Sequence, residues 1–91
     1  MGEVVTSVRV PTPAGLHARP CQAIASIVQR HQASLRVACD GVEADGRSIL
    51  ELMTLCAPCE STLTLRASGA DADELVRSVV SLVEAGFGEL T

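Results

Sequence analysis

The sequence has no tryptophan, no tyrosine and a single phenylalanine, Phe87, and none of its seven basic residues is a lysine. A nucleic-acid binder needs a basic face to neutralise phosphates and commonly uses aromatic rings to stack on bases. Seven arginines against eleven acidic residues leave a formal charge of −4, so no nucleic-acid partner is expected. Long apolar runs are missing too. The longest stretch without a charged side chain, Pro20 to Gln29, falls well short of the about 20 apolar residues of a membrane-spanning helix. The first residues show neither the basic nor the apolar block of a signal peptide. With 47% hydrophobic residues and mixed charges, the 91 residues should fold as one small acidic domain, residues 1–91, in the cytoplasm.

Cysteine is present, at positions 21, 39, 56 and 59. A disulfide framework belongs to secreted chains, and nothing else in the sequence points outside the cell, so these residues read as reduced thiols.

The hydrophobic pattern predicts seven elements. Val4, Thr6, Val8 and Val10 alternate with Glu3, Val5, Ser7 and Arg9, the period of a half-buried strand, and Pro11 and Pro13 close it. Cys21, Ile24, Ala25 and Val28 fall on one stripe of a helix that runs to about Arg30; Pro20 is tolerated because it lies in the first turn. Leu35, Val37 and Cys39 mark a second strand, and Asp40-Gly41 a hairpin turn into a third, Val42 to Ala44. Ser48 with Glu51 matches a capping box for a short helix from Ile49 to about Leu55. Residues 62–67 alternate as a fourth strand. Asp71 with Glu74 offers a second capping box, for a helix whose buried stripe is Leu75, Val76, Val79, Leu82 and Val83 and whose stop is Gly86. The order β-α-β-β-α-β-α, with one polar face on each strand, predicts an α/β open-faced sandwich. Four antiparallel strands form its sheet, and three helices cover one face.

Chemistry is most concentrated in Gly15-Leu16-His17-Ala18-Arg19-Pro20. His17 falls at about the N-cap of the first helix and Arg19 in its first turn. Unpaired backbone N–H groups and the helix dipole favour an anion there and disfavour an imidazolium, which leaves a nucleophilic neutral ring. Arg19 adds a planar fork that suits phosphate oxygens. A histidine that takes up a phosphoryl group and passes it on fits this set of groups. An exposed cap residue beside a surface arginine fits the residue types equally well.

The six-residue run resembles the active-site signature of the HPr family, the histidine-containing phosphocarriers of the bacterial phosphoenolpyruvate:sugar phosphotransferase system. Gly46 to Leu55 is similar to the family's second motif, and Ser68-Gly69-Ala70-Asp71 to the start of its last helix. The resemblance spans nearly the whole chain and implies that His17 accepts phosphate from enzyme I, on Nδ1, and donates it to enzyme IIA domains in sugar uptake. It implies that Arg19 stabilises the moving charge, with no cofactor and no metal. The carrier is expected to be a monomer, and to be a covalent relay rather than an enzyme with its own turnover. Ser48 is in the position of a regulatory phosphorylation site, the target of an HPr kinase/phosphorylase in those bacteria that have one. Arg47, Ile49, Leu50 and Met53 fall where the family docks its partners. Independently, a helix that is apolar nearly all round cannot be wholly buried in so small a domain, so part of Ile49, Leu50 and Met53 should face solvent.

Ala14 replaces a residue that is often polar in the family, and Cys56 and Glu60 stand where glycine is common, which predicts a reshaped loop after the short helix. Two other readings stand beside the sugar-transport one. The first is an HPr-like carrier in a regulatory phosphorelay, such as a nitrogen-related one. The second is a small metal carrier using His17 with Cys21, or Cys56 with Cys59; Arg19 argues against it, because it would repel a cation. Cys56-Ala57-Pro58-Cys59 is a C-x-x-C that follows a helix and precedes a strand, the wrong setting for a thioredoxin-type site. His31, at the end of the first helix, is expected to face solvent and is given no function.

Overall fold

The computed structural model describes residues 3–88. Its strands are β1 (Glu3–Arg9), β2 (Ser34–Cys39), β3 (Val42–Asp45) and β4 (Thr62–Ser68); its helices are α1 (Ala18–Gln29), α2 (Ile49–Met53) and α3 (Ala72–Glu84). The element order is the one the periodicity predicts. All pairings are antiparallel, and the strands lie in the order β1-β4-β2-β3. The last strand in the chain therefore sits inside the sheet, with Val8 opposite Leu63 on one side and Val37 opposite Leu65 on the other.

Alternation decides which face is covered. Val8, Leu35, Val37, Leu63, Leu65 and Ala67 point to one side and are buried with Ile24, Ala25 and Val28 of α1, Leu52 of α2, and Leu75, Val79 and Val83 of α3. Leu82, placed in that stripe by the sequence, is only half-buried. The other face stays open. On it Arg36 reaches Glu43 at 3.4 Å, and Arg66 reaches Glu3 and Glu43 at 3.7 Å. Exposed pairs like these each contribute little to stability, but they hold two directly opposed arginines apart from an unfavourable like-charge contact. Asp40 and Gly41 both have positive φ (51° and 82°), as the hairpin turn between β2 and β3 requires.

Two helix ends differ from expectation. α2 stops at Met53, and Thr54 and Leu55 continue as a turn. The capping box at Ser48 is half made: Ser48 Oγ accepts the Glu51 N–H at 3.2 Å, while the Glu51 carboxylate accepts the N–H of Asp45 at 2.9 Å. The second box does not form. Asp71 makes no side-chain cap bond to its own helix; its carboxylate oxygens accept the N–H groups of Gln32 at 3.0 Å and Ala33 at 2.8 Å. α3 ends as predicted, at Gly86 with φ 73°.

Candidate functional site

The loop from β1 to α1 is tied down at every step, and those ties place His17. Val10 donates its N–H to Ser61 O at 2.9 Å and accepts that of Glu60 at 2.8 Å. Thr12, buried between two exposed prolines, exchanges bonds with Gly15: Gly15 N–H to Thr12 O at 2.9 Å, and Thr12 Oγ1 to Gly15 O at 3.1 Å. Gly15 has φ 72°, and a Cβ there would lie 2.5 Å from Ala57 O, so only glycine fits. The next residue, Leu16, is buried and donates its N–H to the same Ala57 O at 2.8 Å. The chain just after α2 is thus a wall for the loop just before α1. Sequence reasoning missed Thr12 and Ala57; a threonine held between prolines was the one available signal for the first, and a backbone carbonyl leaves none for the second.

His17 is the N-cap residue of α1, with extended backbone (φ −97°, ψ −166°) and no side-chain cap bond. Its carbonyl accepts the Cys21 N–H at 3.1 Å, and its ring is half-buried. Arg19 follows in the first turn, exposed, and that turn holds no acidic residue. Pro20 has no N–H, so the first turn aims the N–H groups of Ala18 and Arg19 outward, where no intrahelical acceptor reaches. Those two donors lie at the end of α1 that His17 caps, and Arg19 is exposed in the same turn. The arrangement suits a dianionic group placed on or near the imidazole.

Ile49, Leu50 and Met53 are exposed (37%, 78% and 40%), whereas Leu52 is fully buried. Ser48 is half-buried at the head of α2. Arg47 is exposed but engaged: it donates to His31 O at 3.3 Å and Ala33 O at 3.5 Å, and its own carbonyl accepts from Gln29 Nε2 at 3.2 Å. Cys56 and Glu60 keep left-handed backbone, φ 49° and 74°, so the loop holds at these non-glycine residues a conformation that suits glycine.

The cysteines of the metal-carrier reading are divided between the core and the surface. Cys21 is fully buried under α1, its thiol pushed up to about 11 by burial; Cys56 and Cys59 lie nearest the carbonyls of Met53 and Pro11. The described residues contain one group of three ligand-type side chains in mutual reach, His31, Asp71 and Glu74, and it includes none of these. His31 also departs from expectation. It is half-buried, with Nδ1 2.8 Å from the carbonyl oxygen of Ile27.

An open antiparallel sheet roofed by three helices, with a histidine capping the first of them, is the architecture of a histidine phosphocarrier. The sequence profile described as "PTS HPr component phosphorylation site" matches residues 4–85, and the chain belongs to the HPr family. It is 34% identical over 76 residues to phosphocarrier protein HPr of Mycoplasma genitalium, covering 82% of this chain and 86% of that one. It is 32% identical over 76 residues to phosphocarrier protein NPr of Proteus mirabilis, covering 82% and 84%. The crystal structure of HPr-C-His from Thermoanaerobacter tengcongensis superimposes with a TM-score of 0.88 at 28% identity over the full length of both chains. No helix among the described residues is long and apolar enough to cross a membrane.

Proposed function

We propose that the chain, acting as a single cytoplasmic domain and as a monomer, carries a phosphoryl group on His17 from phosphorylated enzyme I to enzyme IIA domains in sugar uptake. What supports this reading is the place of His17 as the N-cap of α1, with Arg19 exposed in the first turn and the first-turn backbone N–H groups at the same helix end. In the uptake step the imidazole lone pair attacks phosphorus in line, an N–P bond forms on His17 and the donor's N–P bond breaks; in the donation step the acceptor's nucleophile attacks the same phosphorus and the N–P bond on His17 breaks. Arg19 and the N–H groups of Ala18 and Arg19 meet the negative charge on the three equatorial oxygens, which is the main lever a protein has on phosphoryl transfer. Partners dock on Ile49, Leu50, Met53 and Arg47, an apolar patch on α2 with a cationic edge at its head. Ser48 is a regulatory acceptor for an HPr kinase/phosphorylase; a phosphate at the head of α2 adds up to about two negative charges to that patch and opposes acidic partners.

The test is incubation with enzyme I, Mg²⁺ and phosphoenolpyruvate, followed by intact mass. One acid-labile phosphate that is absent from His17→Ala supports the reading; no transfer to the folded chain from several enzyme I sources overturns it. Near-equal identity to an HPr and to an NPr favours a second reading, a regulatory phosphorelay. It predicts faster uptake from a relay-type phosphodonor than from the enzyme I of sugar transport, in side-by-side single-turnover assays.

A further inference from the structure

The far end of α1 from His17 meets the start of α3, about 18 Å along the helix axis for its twelve residues. Two turns are pressed together there. A Cβ on Gly69 would lie 2.7 Å from Ala33 Cα, and Asp71 binds the N–H groups of Gln32 and Ala33, one on each carboxylate oxygen. On this junction a ring nitrogen of His31 and one carboxylate oxygen each of Asp71 and Glu74 all lie within 4.8 Å of one another.

We propose that His31, Asp71 and Glu74 form a binding site for a divalent transition-metal ion of the Zn²⁺ type. The Ile27 carbonyl can only accept, so His31 Nδ1, 2.8 Å away, is the donor of that bond, and Nε2 is the nitrogen left to ligate. Ligating histidines are oriented in this way. Asp71 is fixed by its two backbone donors, which also hold its carboxyl below the ordinary range, and each of its oxygens retains a second lone pair. Glu74 stands three residues further on the same face of α3, exposed and free to turn inward. Ligand atoms around a tetrahedral ion with bonds of about 2.1 Å lie roughly 3.4 Å apart. The three side chains, whose ligand atoms lie within 4.8 Å of one another, therefore draw closer around an ion chiefly by turning Glu74, the exposed one. Two carboxylates and a neutral imidazole balance a dication, with water completing the shell. A nitrogen ligand favours Zn²⁺ over Mg²⁺ or Ca²⁺. Of the nearby cations, Arg47 is turned to the carbonyls of His31 and Ala33, and Arg30, the chain neighbour of His31, to Ser26 Oγ at 3.4 Å.

The experiment titrates Zn²⁺ alone into the full chain carrying Cys56→Ser and Cys59→Ser, which removes thiol binding. Calorimetry follows binding, and the imidazole resonances of the two histidines report where it occurs. One ion per chain, a shift at His31 with His17 unmoved, and affinity lowered at least about tenfold in His31→Gln and in Glu74→Gln would establish the site, since loss of even an outer partner weakens metal sites that much. Glu74 is exposed, so its variant keeps the fold in hand as a control. Undiminished binding in both variants, a shift at His17 instead of His31, or no binding up to millimolar Zn²⁺ each overturns the proposal.

Discussion

Arg19 stands in the first turn of α1 with no acidic neighbour in that turn, so its charge is available to whatever anion the helix end attracts. Removing it should cost transition-state stabilisation and little else, because an exposed side chain carries little packing. Arg19→Gln is expected to unfold at an unchanged temperature and to take up phosphate about a hundredfold more slowly, the size of effect seen when one preorganised donor is lost. Rapid-quench phosphorylation by enzyme I measures this, and an unchanged rate would remove Arg19 from the mechanism. Both His17 and Arg19 were legible in the sequence, since a helix entrance can be read from a proline in the first turn and an apolar stripe behind it. The role of Cys21 was legible only in part. Its place on the apolar stripe said that it is buried, and the structure adds the consequence: the thiol is held up near 11 against an ordinary 9.0. It stays protonated across the working range, and any stability linked to it is lost only as pH rises toward that value.

At the scale of elements, α2 and the loop behind it decide what partners meet. The sequence showed that a nearly all-apolar helix must expose something; which side faces out depends on how α2 lies on α1, and that is a tertiary fact. Leu52 is fully buried and Leu50 is 78% exposed, so neighbouring leucines should behave oppositely. Leu52→Ala is expected to destabilise the fold by about 2–4 kcal/mol through the cavity it leaves. Leu50→Ser should leave stability within about 0.5 kcal/mol and raise the KM for the phosphodonor. Chemical denaturation and steady-state transfer separate the two effects, and an unchanged KM for Leu50→Ser would remove the patch as a docking surface. The loop after α2 follows the same logic. Cys56 sits at φ 49°, a conformation that costs a side chain about 1–2 kcal/mol. Cys56→Gly should relieve that strain, against a smaller loss of chain entropy, and raise stability by about 0.5–1 kcal/mol; a lower urea midpoint would show that the conformation is not strained.

Across the whole molecule, the element order and the covered face were readable because every strand alternates and every long helix has one apolar stripe. The strand order β1-β4-β2-β3 was not, because pairing partners are chosen by packing between segments far apart in the chain. Asp71 shows the same limit in one residue. Its spacing from Glu74 matched a local cap, but its carboxylate instead binds N–H groups 38 and 39 residues away, and no window of sequence contains that competition. Those bonds, Gln32 first and Ala33 second, hold the Asp71 carboxyl below its ordinary value of 3.8. A carboxylate depressed on folding stabilises the native state at any pH above its unfolded value, and that stabilisation disappears as pH falls through the lower, folded value. The junction between the turn after α1 and the start of α3 should therefore weaken in acid, below about pH 4. Asp71→Asn, which has no charge to lose, is expected to be less stable than the parent at neutral pH and to converge on it as the pH drops. Urea midpoints measured with a chelator present, so that no metal ion contributes, follow the difference; the other carboxylates are common to both proteins and cancel. A gap that stays constant through the acid range would mean that the long-range bonds of Asp71 do not depend on its charge. The tie between the two turns would then be a charge-independent one, made of those hydrogen bonds and the packing of Gly69 against Ala33.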